Sequence, residues 1–166
     1  EIYTPGIVGS VRCVYETGVN LKRLPTMKQK FLDLQINTKG QKLYEFTDQT
    51  IEWIEKNNLQ NGILNLSIQH TSASLIVQEN ADPDVQTDLI NYFDRLAPMD
   101  NNLYTHTTEG KDDMPAHIKS SLTNNQISLS IRGGKLLLGT WQGIYLFEHR
   151  LEPQKRIVIH HFLGEI

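Results

Sequence analysis

Apolar and polar residues alternate in "KQKFLDLQINT", with Leu32, Leu34 and Ile36 on one face and Phe31, Asp33 and Gln35 on the other. Period two over this length predicts a strand buried on one side. "TKGQ" then turns the chain, Gly40 taking a backbone angle that other residues resist. The period lengthens in "TDQTIEWIEKNN", which predicts a helix: Thr47 is placed to cap it, Ile51 and Ile54 share its spacing, and "NLQNG" ends it. Alternation returns in "GILNLSIQ", where Leu64, Leu66 and Ile68 oppose Asn65, Ser67 and Gln69, and this strand delivers His70 at its end. "SASLIVQEN" predicts a further apolar strand ending in Glu79 and Asn80.

The clearest helix is "DPDVQTDLINYFDRLAP", with Asp82 as N-cap, Pro83 at the first helical position and Pro98 as the stop. Val85, Leu89, Tyr92, Phe93 and Leu96 form its apolar stripe. An acidic, histidine-rich loop leads into a short helix, "MPAHIKSSL", opened by Asp113 and Pro115. The remainder reads as strands: "QISLSIR", "KLLLG", "GIYLFEHR" and "RIVIHHFL". Runs of strands with two or three helices and short connections predict an α+β fold on a largely antiparallel sheet or sandwich.

Residues 1–26 have weak periodicity and carry Pro5 and Pro25. The chain begins at Glu1, and the pattern sharpens at Met27, so residues 27–166 are expected to form a single domain and residues 1–26 an extension or translated upstream segment.

A chain of 166 residues suits one domain and can bury roughly 70% of its unfolded surface, so no disulfide or metal staple is needed to fold it. Its net charge of −3 argues against a general nucleic-acid binder. The basic clusters at Lys28–Lys30 and Lys155–Arg156 read as solvated strand ends. Cys13 is the only cysteine, which rules out a disulfide scaffold within the chain. No apolar run approaches the roughly 20 residues of a membrane helix, and a soluble cytoplasmic protein is expected.

Six histidines are the candidate chemistry. His160 and His161 are neighbours on a strand, so they face opposite ways and do not share a metal easily. His149 reads as a strand-edge residue. His70, His106 and His117 each lie where a regular element meets a loop. His117 is expected in the first turn of a helix, where the dipole favours a neutral, ligating ring. Three neutral imidazoles would leave a divalent ion such as zinc an open position for water or substrate, with Glu109, Asp112 or Asp113 orienting a ring or adding an oxygen. The His106–His117 spacing matches no compact metal signature. Glu148 shares a strand face with Ile144 and Leu146, and if desolvated it would suit a general acid or base. "GTWQG" reads as a tight hairpin with Trp141 packed in the core, or as a close approach to a ligand or a neighbouring chain.

Together, "QHTSASLIVQENADPDV", "HTTEGKDDMPAHIKSSL" and "GKLLLGTWQGIYLFEHR" resemble the YjbQ, or UPF0047, family from about Met27 onward. That resemblance implies an α+β subunit in a homotrimer, with a polar site holding His70 and His117, completed by His106. By the same analogy the site holds a divalent metal, expected to be zinc, with magnesium an alternative for a diphosphate substrate. Thiamine-phosphate-synthase activity is implied, joining a pyrimidine diphosphate to a thiazole phosphate with loss of pyrophosphate. The matching motifs make Thr71, Ser72, Glu79, Asn80, Lys111, Thr140, Trp141 and Gln142 the expected contacts to a small phosphorylated substrate, and Glu148 and Asp112 the expected acid–base groups. Free N–H groups of the helix near Pro115, with Lys111 and Arg132, would neutralise the leaving group. No P-loop or acidic diphosphate clasp is present. A metal-dependent phosphate or ester hydrolase, or a non-enzymatic trimer that binds a metal or an anion, are the competing readings.

Overall fold

The chain runs β1 (Lys28–Asn37), β2 (Lys42–Glu45), α1 (Thr47–Lys56), β3 (Asn61–Ile68), β4 (Ala73–Glu79), α2 (Pro83–Leu96), α3 (Asp113–Leu122), β5 (Gln126–Arg132), β6 (Lys135–Leu136), β7 (Gln142–Glu148) and β8 (Lys155–Glu165). A single 3-10 turn, Asn101–Leu103, lies between α2 and α3. This computed structural model describes residues 26–166; Cys13 and nearly all of the expected extension lie outside the described residues. The fold is α+β. Five strands form one sheet in the order β1-β8-β3-β5-β6, three form a second in the order β2-β7-β4, and every pairing is antiparallel.

The alternating positions explain how the layers meet. Leu64, Leu66 and Ile68 of β3 and Val158 and Phe162 of β8 face Leu75 of β4 and Ile144 and Leu146 of β7, with Trp53 and Ile54 of α1 in the same cluster. Burying each such side chain stabilises the fold by about 1.5–3 kcal/mol. Strand β7 is covered on both sides: its other face sends Tyr145 and Phe147, with Leu43, against Leu89, Ile90 and Phe93 of α2. Double burial is why "GIYLF" reads as an unbroken apolar run rather than an alternating one.

Several expectations are corrected. Thr47 is the first residue of α1, not its cap; its hydroxyl donates to Glu45 Oε1 and accepts the Ile144 N–H, each at 2.8 Å. Thr50, Trp53 and Ile54 face the core, while Ile51 is exposed. Four-residue β2 is too short to show a period, and only Lys135 and Leu136 of "KLLLG" are in a strand. "GTWQG" joins β6 of one sheet to β7 of the other, so it is not a hairpin, and Trp141 is 63% exposed. Arg156 is buried between the sheets, not a solvated strand end. Asp82 caps α2 as expected, accepting the Asp84 N–H at 2.9 Å, but no residue of that helix is fully buried and Tyr92 and Leu96 are largely exposed. None of the described helices is long and apolar enough to cross a membrane.

Two histidines belong to the core. His160 lies edge-on to Phe46 and Trp53, with Nε2 3.0 Å from Thr50 Oγ1, and burial pushes its pKa down to about 4. His149, expected at a strand edge, is fully buried against Phe147, with Nε2 2.9 Å from Ser74 Oγ. Burial first, then the positive charges of Lys119 and Arg156, hold its pKa at about 3. Both values lie below that of an unfolded histidine, so the unfolded chain takes up protons first on acidification. Stability is therefore intact above about pH 6.5 and falls as pH drops through the window toward the folded values. Urea unfolding should show a loss of about 2 kcal/mol per histidine between about pH 6.5 and about pH 5. A flat profile would show that neither ring is held neutral by the core.

Candidate metal centre

The turn after β3 meets α3 at His117 through Thr71, and the loop after β7 meets the start of α3 through Arg150. The centre is built there from the carboxylate of Asp113, which is nearly inaccessible. Its Oδ2 lies 2.9 Å from His106 Nε2 and 3.2 Å from His117 Nε2. Its Oδ1 is paired with Arg150 Nη1. One ligand atom from each of His106, Asp113 and His117 falls within 4.8 Å of the others. A tetrahedral zinc with bonds of about 2.0–2.1 Å would hold two ligands about 3.3 Å apart, close to these separations.

Local sequence explains each placement. Asp113 and His117 are four residues apart on α3, so they share one face of the helix. His117 is the fifth helical residue, in the second turn rather than the first. Its Nδ1 lies 3.0 Å from the carbonyl oxygen of Thr71. A carbonyl only accepts, so Nδ1 carries the proton, and Nε2 is the ring atom turned toward the Asp113 carboxylate. Two ring nitrogens and a carboxylate oxygen converging in this way are donor types that a divalent cation takes together. The donor set fits such an ion.

Arg150 orients the acidic side. Its Nε donates to Asp112 Oδ2 at 3.0 Å and its Nη2 to the Glu109 carbonyl at 2.8 Å. Burial alone would raise the pKa of Asp112, but the Leu151 N–H and Arg150 more than offset it and hold the carboxyl below its usual range. Arg150 thus anchors the loop that carries the carboxylates.

His70 is close by but is not in the cluster, which has Asp113 where a third histidine was expected. Its Nδ1 accepts the Ser72 N–H at 3.1 Å and also lies 3.1 Å from Ser72 Oγ. Partial burial, then the Arg156 charge, lowers its pKa. His70 and His117 line a hollow of about 280 Å³ with Thr71, Ser120, Ser121 and Asn125.

Sequence comparisons agree with this architecture. The family profile described as "UPF0047 protein YjbQ-like" matches residues 32–165. The chain belongs to that family. It is 47% identical over 141 residues to a UPF0047 protein of Synechocystis, covering 85% of this chain and 96% of the relative. It is 42% identical to the YjbQ protein of Escherichia coli O157:H7, covering 82% and 98%. A crystal structure of a YjbQ/UPF0047 protein from Clostridium acetobutylicum superposes with a TM-score of 0.70 at 32% identity, covering 77% of this chain and 97% of that one.

In this YjbQ-like chain the remaining expected residues divide sharply. Thr71 contributes its carbonyl, and Ser72 is buried beneath His70. Lys111 is exposed, whereas Asp112 is buried and committed to Arg150 and Leu151. Glu79, Asn80, Thr140, Trp141 and Gln142 gather at the opposite end of β4 and β7, six residues along β4 from Ala73, a run of about 20 Å. Within one chain they are not part of the histidine site. Arg132 sits at the β5–β6 turn, equally far from Gln126, and Asp112, at the α3 N-cap, makes no side-chain capping hydrogen bond.

Glu148 is fully buried and accepts four hydrogen bonds: from Arg156 Nε and Nη2 at 2.7 Å each, from Thr38 Oγ1 at 3.0 Å and from the Arg150 N–H at 3.1 Å. Sequence reasoning missed Arg156, although it shares a strand face with Val158, His160 and Phe162, and a charge on an apolar face demands a partner. Such an arrangement makes Glu148 a structural anchor. Glu148→Gln should cost about 3–5 kcal/mol in urea unfolding, the price of stranding Arg156. Unchanged stability with lost activity would instead place Glu148 in the chemistry.

Proposed function

We propose that the protein is a metal-dependent hydrolase of a small phosphorylated or ester substrate, with a divalent ion held by His106, Asp113 and His117. The observation that carries this reading is the convergence of two imidazole nitrogens on one buried carboxylate oxygen, with His117 turned to ligate by the Thr71 carbonyl. Two ring nitrogens favour zinc over magnesium, which prefers all-oxygen sites. When bound, such an ion polarises a phosphoryl or carbonyl oxygen and makes water a nucleophile near neutral pH. Arg150 holds the Asp113 carboxylate aimed, and the hollow beside His117 is of a size for a small ligand.

A thiamine-phosphate-synthase-type condensation would use the same ion but must also neutralise a departing diphosphate. The two arginines nearest the site are already neutralised, Arg150 by Asp112 and Asp113 and Arg156 by Glu148. Two carboxylates, Asp112 and Asp113, stand at the helix N-terminus and would repel a diphosphate there. Hydrolysis therefore ranks first, and transfer second.

The working unit we propose is a homotrimer. Phe31, Ile63, Ile157 and Leu163 are exposed on the outer face of the five-stranded sheet, and Tyr92 and Leu96 on α2, apolar side chains of the kind that subunit contacts cover. Light scattering should give about three times 19.0 kDa, and a monomer would contradict the proposal.

Zinc-loaded protein should hydrolyse members of a panel of chromogenic phosphates and esters. Asp113→Ala and His117→Ala should each lower turnover by more than about 100-fold, beyond what loss of an outer partner alone costs. Product from the pyrimidine diphosphate and thiazole phosphate would move the assignment to the transferase. Full metal loading without turnover of either kind would leave an ion-binding protein.

A further inference from the structure

A single peptide unit, the one joining Thr71 to Ser72, touches both histidines of the hollow. Its carbonyl lies 3.0 Å from His117 Nδ1, and its N–H donates to His70 Nδ1 at 3.1 Å. The two ends of a peptide group cannot exchange roles: the carbonyl only accepts and the N–H only donates. His117 must therefore carry its proton on Nδ1 and His70 must leave Nδ1 bare. A neutral His70 then holds its one proton on Nε2, across the ring from Ser72. One peptide bond thus places a proton on Nδ1 of one ring and denies it to Nδ1 of the other, and both rings line the same hollow.

We infer that His70 is not a metal ligand but a neutral hydrogen-bond donor, its Nε2–H serving a phosphoryl oxygen of the substrate beside His117. Its Nδ1 lone pair is committed to Ser72, and Nε2, bearing hydrogen, has none to offer an ion. The ring is held on a chain of fixed partners: Ser72 Oγ accepts from Arg156 Nη2 at 3.1 Å, and Arg156 is locked to Glu148. Around the hollow, the Thr71 hydroxyl and the Asn125 side-chain amide make no hydrogen bond among the described residues, so they are available as companions. A neutral donor stabilises charge developing on an oxygen without giving up its proton, so His70 binds and orients while no proton leaves Nε2. This inference takes its substrate class from the hydrolase reading above, but its tautomer from the peptide geometry alone.

Long-range proton–nitrogen correlation spectra of metal-free, nitrogen-15-labelled protein read the tautomer directly. His70 should show a protonated Nε2 and a bare Nδ1. Zinc affinity should fall by less than about tenfold in His70→Ala but by more than about 100-fold in His117→Ala. In zinc-loaded protein, inorganic phosphate should bind about tenfold or more weakly to His70→Ala, as expected for a lost hydrogen bond to a charged group, with much of the affinity kept in His70→Gln. A proton on Nδ1, collapse of zinc affinity in His70→Ala, or phosphate binding indifferent to His70 would each overturn the inference. If the wild-type protein takes up no zinc, the hydrolase reading fails, while the tautomer measurement still decides the role of His70.

Discussion

The buried ion pair between Glu148 and Arg156 is the constraint on which the site depends. Glu148 ends β7 of one sheet and Arg156 is the second residue of β8 of the other, and both are buried. Removing two charges from solvent is costly, and only a complete set of partners offsets it. Here both carboxylate oxygens are occupied, and the fork of Arg156 meets them two-on-two. Two consequences radiate from the pair. Through Arg156 and Ser72 it fixes the ring of His70. Through the Arg150 N–H it fixes where the chain leaves β7, and so where the Arg150 guanidinium meets Asp112 and Asp113. The geometry of the His106–Asp113–His117 cluster is thus inherited from a sheet-to-sheet contact.

The histidines show how environment divides one residue type into separate jobs. His149 and His160 sit among aromatic rings and are kept neutral by burial, acting as core residues with a polar atom to place. His161 lies on the outer sheet face, stacked on Phe31 at 4.2 Å. His106 and His117 share a carboxylate, and His70 stands beside them with its lone pair spent on the backbone. Proximity in space, not composition, separates the clustered rings from the rest.

Much of the architecture can be read from periodicity. The strand faces of β1 and β3, the cap of α2 and the antiparallel α+β class follow from spacing and capping chemistry, because one buried face per element imposes the alternation. Parity along a strand also carries the Glu148–Arg156 pair, for those who ask what a charge is doing among Val158, His160 and Phe162. Spacing does not reveal which loops converge. Asp113, not His70, completes the cluster because His117 lies one helical turn beyond it, and the turn at Thr71 points His70 elsewhere. Nor does it reveal that β6 and β7 belong to different sheets, which carries Trp141 and its neighbours to the far end of the fold. Those contacts arise from tertiary topology, on which local sequence is silent.

The most direct test of the account is anomalous diffraction at the zinc absorption edge from crystals grown with zinc. A single strong peak within bonding distance of His106 Nε2, His117 Nε2 and an Asp113 oxygen, with His70 outside the coordination shell, is the predicted result. A peak coordinated by His70, or full zinc loading with no peak among those three side chains, would contradict it.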